Sequence, residues 1–372
     1  MKYVIHTPKG LLKYSIKEAQ RIGLQPTKKT SSTASFEAKP SEAYKYTYKA
    51  QCIDRILLHI DTQRIKKIDD IEISISEKIT KLIQDKTYRV TAQRKQEAPF
   101  SSIDIEKRVG HLLCQKGIDN VDLTRPQLVV RCIYEDNKLI TGIDIGGKDL
   151  SKREYKVFSN KNSINPVLGA SFLQHLPYQD GDSVVNPFCR DGVLPIELAY
   201  QTTQTSPHYF SPEFSFEKAD LLTFDQVDTL LESLEGQRKP STISIHSYDR
   251  HFRNIKAHKK NAKIAGVQKE ISFSRFEPEF LDLKFPDKSV DIIYGRPEQP
   301  TRHTPEIKLR HIYHDLFRYG QYSLKDNGKM IFMTQAPHYL LEHTTPWGLV
   351  IANRQKITYK HLSFTVLTFE RL

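Results

Sequence analysis

The chain of 372 residues is 38% hydrophobic and 27% charged, a balance that fits a globular protein of two or three domains. No apolar run approaches the roughly 18 residues that cross a membrane, and Cys52, Cys114, Cys132 and Cys189 form no CxxC pair of the kind a zinc ribbon needs. Lys and Arg outnumber Asp and Glu by 56 to 44, and the excess lies early: residues 1–160 carry 30 against 20, residues 161–372 carry 26 against 24. A basic module joined to a nearly neutral one suggests a polyanion grip attached to a working domain.

The N-terminal MKYVIHTPKG reads as a strand and turn without the apolar core of a secretory signal, so a cytoplasmic location with no membrane association is expected. In LLKYSIKEAQRIG, Leu11, Leu12, Ile16, Ala19 and Ile22 fall at helical spacing before Gly23. A strand-like core at Ala34–Ala38 precedes a hinge at Pro40, and AQCIDRILLHID predicts an amphipathic helix leading into a strand. These elements make an α+β unit over residues 1–65. A second, over 66–158, has a helix ISEKITKLIQD, an alternating strand TYRVTAQRK, and a helix opened by Ser102 and closed by Gly117. A hairpin then pairs Leu128–Tyr134 with Leu139–Ile145. SKREYKVFSNKNSIN is polar and basic and reads as the linker onward.

Residues 159–372 form a third domain. Its strands are SVVNPF, STISIHSYD, ISFSRF, SVDIIY and GKMIFMT, interleaved with helices through PIELAY, HFRNIKAHKKNAKIAG and EIKLRHIYHDLFRYGQYSL. Such alternation predicts a mostly parallel, doubly wound α/β sheet. The closing pair ANRQKITYK and LSFTVLTFE, with no helix between, predicts an antiparallel strand at the edge. An insertion rich in Ser, Thr, Phe and Pro separates Gln201 from Ser241, and the sequence assigns it no role.

Two places in this third domain could carry chemistry. In GDSVVNPFCRDGVLPIELA a buried strand ends at Asn186, turns through Cys189-Arg190-Asp191-Gly192 and enters a helix. Such a turn offers backbone N–H groups and a helix N-terminus to a ligand, although one glycine does not make a dinucleotide fingerprint. Asp249 ends the next strand, where a carboxylate can accept ribose hydroxyls or, alternatively, cap the following helix. The stretch DIIYGRPEQPTRH, Asp291–His303, is a loop after a strand of the same sheet, the usual place for α/β active sites.

These residues carry a family resemblance. NPFCRDGVLPIELA resembles the DPxCGSGTxxIEAA turn of S-adenosylmethionine-dependent RNA methyltransferases, and SYDRHFRNIKAHKKNAKIAGV is similar to their acidic second-strand motif and the helix ending in NAxxAG. FLDLKFPDKSVDIIY and YSLKDNGKMIFMT are similar to their later strands. TYRVTAQRK, IEKRVGHLL, VDLTRPQLVVRCIY, TGIDIGGKDLSKREYKVF and INPVLGASFL together look like a THUMP domain running into its methyltransferase. The resemblance implies a Rossmann-like methyltransferase domain at 159–372, a THUMP domain at 66–158 and a ferredoxin-like subdomain at 1–65. It implies S-adenosylmethionine as cofactor, tRNA or another structured RNA as partner, and a guanine N2 as methyl acceptor. Asn186, Arg190, Asp191, Gly192, Asp249, Arg250 and Glu279 fall at cofactor positions. Arg89, Arg94, Lys95, Lys152 and Arg153 are the candidate RNA contacts, reading phosphates without base specificity.

The catalytic motif departs from the family's Asp/Asn-Pro-Pro-aromatic, whose oxygen accepts from the target amine while the ring stacks on the extruded base. Aligned on Asp291, that motif falls on Arg296-Pro297-Glu298-Gln299. Arg296 has no acceptor atom; Glu298 stands in place of the second proline, Gln299 in place of the aromatic. In the cofactor turn Arg190 and Asp191 replace Gly and Ser, and Arg190 either pairs with the cofactor's carboxylate or fills its space. Two readings follow: a tRNA guanine-N2 methyltransferase, or a silent relative that binds RNA as a subunit or chaperone beside a protein partner.

Overall fold

The computed structural model describes residues 1–160, 162–300 and 305–372, and of residue 345 the backbone only. It divides into two compact units, Met1–Ser151 with His208–Gly236, and Lys152–Pro207 with Gln237–Leu372.

The first unit is built on one sheet of β1 (Lys2–His6), β2 (Thr27–Lys28), β3 (Thr33–Glu37), β4 (Arg55–Arg64), β5 (Tyr88–Arg94), β6 (Leu128–Glu135) and β7 (Lys138–Asp144). The order is β2-β3-β1-β4-β7-β6-β5, with β5 parallel to β6 at one edge and every other pairing antiparallel. The expected boundary at residue 65 therefore falls within a continuous sheet, because β4 pairs with β7 from Leu57↔Asp144 to Arg64↔Lys138. The buried Asp144 carboxylate ties the two halves, accepting from Arg55 at 3.3 Å and Arg131 at 3.0 Å. The β6–β7 turn has Asp136 and Asn137 at φ 52° and 56°, the left-handed pair that a tight hairpin demands.

Helices α1 (Leu12–Arg21), α2 (Pro40–Lys49), α3 (Glu77–Gln84) and α4 (Ser102–Cys114) bury their apolar stripes in one core with this sheet. Three local expectations need correction. Pro40 is the first residue of α2 and no hinge; its fixed φ and missing N–H suit a first helical position. The alternating Tyr44, Tyr46 and Tyr48, all buried, disguise the helix as a strand. No helix occupies AQCIDRILLHID: β4 starts at Arg55, and Ile56, Leu57 and Leu58 are buried on both faces of a central strand, a run that periodicity cannot assign. The cap of α4 is Ser101, whose hydroxyl accepts from Asp104 N at 3.2 Å.

The second unit holds β8 (Ser183–Asn186), β9 (Ser244–Asp249), β10 (Ile271–Arg275), β11 (Val290–Gly295), β12 (Leu324–Thr334), β13 (Leu349–Tyr359) and β14 (Leu362–Arg371), in the order β10-β9-β8-β11-β12-β14-β13. Strands β10 to β12 are parallel. β14 is inserted antiparallel between β12 and β13, so the antiparallel strand lies inside the sheet and β13 takes the edge. Its helices are α5 (Pro166–Leu173), α6 (Val193–Thr203), α8 (Phe252–Ile264), α9 (Glu306–Ser323) and the short α10 (His338–Leu341). The strand order reverses between β8 and β11, the place where open α/β sheets bind their ligands.

Between α6 and β9 lies the insertion that sequence left unassigned; it contains α7 (Phe224–Glu235). Residues 208–236 fold into the first unit. Phe214 and Phe216 meet Tyr44 edge-on at 5.4 and 5.2 Å, Ser215 N donates to Ile145 O at 2.9 Å, and Val227 and Leu234 enter the core. The segment carries seven acidic residues and one lysine. The first unit therefore holds 28 Lys+Arg against 26 Asp+Glu, the second 28 against 18. Folding reverses the linear picture: the excess positive charge belongs to the second unit.

Candidate cofactor and active site

The cofactor turn follows β8. Arg190 and Gly192 take left-handed backbone, at φ 54° and 92°, and deliver the chain into α6. Glycine is required at 192 for a second reason: a Cβ there would lie 1.9 Å from Cδ2 of His258 on α8. His258 is buried, which pushes its pKa down to about 3 and keeps it neutral; its Nδ1 lies 3.2 Å from Ser247 Oγ. Asn186, at the end of β8, accepts from Phe188 N at 2.9 Å. Asp191 is buried with its pKa raised by that burial, and its backbone carbonyl accepts from Asn261 Nδ2 at 2.8 Å.

At the end of β9, Asp249 joins the turn to α8. Its Oδ2 accepts from Arg190 N at 3.0 Å, and its Oδ1 accepts from His251 N and Asn254 Nδ2, both at 2.9 Å. The carboxylate thus bridges the turn to the start of α8, whose N-cap is His251. Beside it, Arg250 Nη2 donates to both Glu279 oxygens, at 2.7 and 2.9 Å. Burial raises the Glu279 pKa, and Arg250 works against that rise.

The candidate catalytic loop leaves β11 at Gly295, whose Cβ position lies 3.0 Å from Asn186 Oδ1, so the β8 and β11 ends touch there. Arg296 Nη1 donates to Asn162 O at 3.1 Å, and its guanidinium lies over the Phe364 ring at 5.6 Å. Arg190 Nη1 donates to the same Asn162 carbonyl at 2.6 Å, and its Nη2 reaches the carbonyls of Arg296 at 3.3 Å and Pro297 at 3.5 Å. Burial first, and then Arg190, lowers the Arg296 pKa to about 10. Glu298 accepts from the Tyr313 hydroxyl through its backbone carbonyl, while its carboxylate lies 4.0 Å from His251 Nε2. Gln299 Nε2 donates to Thr334 Oγ1 at 2.8 Å. Residues 301–304 of the loop lie outside the described residues.

The structure links Arg190 directly to Asp249, Arg296 and Pro297, pairs Arg250 with Glu279, and turns Gln299 to Thr334. It adds Asn162, Asn254, Asn261 and His258, which sequence reasoning did not single out as site residues. Asn261 ties Phe158 to the turn, bonding Phe158 N and O at 3.0 and 2.9 Å as well as Asp191 O. Its place in the NAxxAG pattern was the available signal. Asn162 acts through a backbone carbonyl, for which residue type gives no signal.

The candidate RNA contacts scatter. Arg89, Arg94 and Lys95 lie on or just after the edge strand β5, where Arg94 donates to Ala98 O at 3.2 Å and Phe100 O at 2.7 Å. Lys152 is exposed at the start of the second unit. Arg153 is a correction: its side chain is 0% exposed and pairs with Glu197 at 3.0 Å, which Tyr155 also reaches at 2.9 Å. A guanidinium sealed against α6 is not available to RNA. No helix of the described residues is long and apolar enough to cross a membrane.

Residues 66–144 match the THUMP domain, and residues 153–349 match the RMKL-like methyltransferase domain, UPF0020. The chain is 24% identical over 351 residues to a tRNA (guanine(6)-N2)-methyltransferase of Methanocaldococcus jannaschii, covering 90% of both chains. It is 25% identical to that of Thermus thermophilus, over 77% of this chain and 73% of the relative. Among solved structures, a possible methylase from Clostridium difficile aligns with TM-score 0.80 at 18% identity, covering 100% of this chain and 98% of that one. SMU.472, a putative methyltransferase complexed with SAH, aligns with TM-score 0.78 at 14% identity over 100% and 98%, and TrmN from Thermus thermophilus with TM-score 0.71 at 20% identity over 100% and 99%. The structures share the fold. Because the methyltransferase match spans more than half of the sequence and follows a THUMP domain, the chain belongs to the RMKL-like methyltransferase domain family, whose cofactor is S-adenosylmethionine.

Proposed function

We propose that this chain is a cytoplasmic enzyme that transfers a methyl group from S-adenosylmethionine to the exocyclic N2 of a guanine in tRNA. One observation carries the reading: the Arg190–Gly192 turn and the Asp249 carboxylate meet at 3.0 Å where the strand order reverses, on the fold of tRNA guanine-N2 methyltransferases.

The residues present fit the cofactor. Asp249 has three donors on about four lone-pair sites, leaving room for a ribose hydroxyl. Glu279, bonded through both oxygens to Arg250, suits the adenine amine. The turn and the α6 N-terminus offer backbone N–H groups. Bound there, S-adenosylmethionine supplies an electrophilic methyl on a sulfonium, so the protein has to position the acceptor and needs no strong base. The Arg296 side chain cannot hold the target amine. The main-chain carbonyls of Arg296 and Pro297 can, and Arg190 now donates to both over long contacts that a better-placed amine would displace. The Glu298 carboxylate, half-buried beside them, is a further acceptor.

For the RNA, the first unit would act as a ferredoxin-like half, residues 1–65, and a THUMP half, with Arg89, Arg94 and Lys95 on its edge. Lys152 and helix α8 would extend the phosphate contacts: Arg253, Lys256, Lys259, Lys260 and Lys263 are exposed on a helix without Asp or Glu.

A second reading is favoured by Arg296 itself. A guanidinium at the acceptor position suits a silent RNA-binding relative, acting beside a protein partner. Calorimetry separates the two. The enzyme reading expects S-adenosylmethionine to bind below about millimolar Kd; no binding in that range, with tRNA binding intact, would leave the silent reading.

A further inference from the structure

Arg190 and Arg296 come from different loops, yet both guanidiniums donate to one backbone carbonyl, Asn162 O, at 2.6 and 3.1 Å. Neither has a carboxylate within 4 Å among the described residues, and their other partners are two carbonyls and the Phe364 ring. The acids that attract Arg190 from further away are engaged elsewhere. Asp249 serves three N–H donors, Glu298 faces His251, and Asp191 is buried with a raised pKa. Burial lowers the pKa of both arginines, and Arg190 lowers that of Arg296 further. Two cations side by side, answered among the described residues by carbonyls and one aromatic ring and by no close carboxylate, are a costly arrangement for a fold to keep without an anion.

We propose that Arg190 and Arg296 form a two-pronged clamp for a single oxyanion, which takes the place of the Asn162 carbonyl between the two guanidiniums. The planar forks suit carboxylate and phosphate alike. Two sources present that chemistry at this site: the amino-acid carboxylate of the cofactor, and a phosphate of the RNA. The clamp does not depend on methyl transfer, and a silent chain would retain it.

The test uses the full chain with Arg190→Gln, Arg296→Gln and the conservative Arg190→Lys and Arg296→Lys. Thermal unfolding is compared in chloride and in inorganic phosphate at matched ionic strength. Phosphate should raise the unfolding temperature of the parent protein more than that of either Gln variant. In chloride the Gln variants should unfold no earlier than the parent, because each removes a cation that lacks a counter-ion. Should Arg190→Gln fail to fold, Arg296→Gln and the Lys variants decide. S-adenosylhomocysteine and 5′-methylthioadenosine, which lacks the amino-acid part, then distinguish the source. If the cofactor supplies the anion, each Gln variant loses about tenfold or more of the parent's preference for S-adenosylhomocysteine. If RNA supplies it, that preference stays and the salt slope for tRNA falls by about one. Phosphate stabilisation, ligand preference and salt slope all unchanged in both Gln variants would overturn the clamp.

Discussion

Arg153 and the pair Arg190–Arg296 sit in the same unit, and all three are largely withdrawn from water, but the fold treats them differently. Around Arg153 the charge is closed: burial opposes it, Glu197 with Tyr155 and Tyr200 more than offsets that, and the Tyr155 hydroxyl also donates to the Glu197 carboxylate. Around Arg190 and Arg296 the charge stays open, answered among the described residues by carbonyls and the Phe364 ring. The contrast separates side chains that hold the structure from side chains that wait for a ligand. It also shows why a basic residue in a linker is a poor guide to RNA contact: Lys152 and Arg153 are neighbours, and one is exposed while the other is sealed.

The closed setting should be the harder one to disturb without damage. Arg153→Met leaves the Glu197 carboxylate buried without its partner and should cost about 3–5 kcal/mol in urea unfolding. Pairing it with Glu197→Leu should recover most of that loss; a double variant as unstable as the single one would show that the pair matters through something other than charge. Next in size is Gly192→Ala, where the new methyl meets His258 and the left-handed backbone disfavours alanine. A loss of about 2–4 kcal/mol is expected, and His258→Ala in the same chain should relieve part of it.

His258 represents a third way to bury a titratable group, by keeping it neutral. Its folded pKa, about 3, lies below its ordinary value of 6.5, so the unfolded chain binds the proton more readily. Its contribution is complete above pH 6.5 and is lost as the pH falls toward 3. The slope should approach but not exceed about 1.4 kcal/mol per pH unit. His258→Asn should flatten that part of the stability profile; an unchanged profile would mean the ring is not held neutral. The smallest effects belong to exposed cations. Lys152→Ala and Lys260→Ala should leave the unfolding midpoint in place and each reduce the salt slope of tRNA binding by about one.

Much of the second unit was legible because α/β alternation repeats one local signal, a short apolar strand followed by a polar-faced helix. The candidate cofactor turn and Asp249 were picked out the same way, through residues at strand ends. What stayed hidden was non-local. The insertion at 208–236 takes no role from the sequence because the partners of Phe214 and Phe216, such as Tyr44, lie far earlier in the chain. The charge argument failed for the same reason, since an acidic segment late in sequence folds into the early, basic unit. The convergence of Arg190 and Arg296 on a main-chain carbonyl could not be read, because a carbonyl has no residue type.

Incubating the purified chain with unmodified tRNA and methyl-labelled S-adenosylmethionine, followed by nucleoside mass spectrometry, tests the proposed reaction most directly. Labelled N2-methylguanosine is the predicted product. Unmethylated tRNA, under conditions where calorimetry shows both cofactor and tRNA bound, would contradict it.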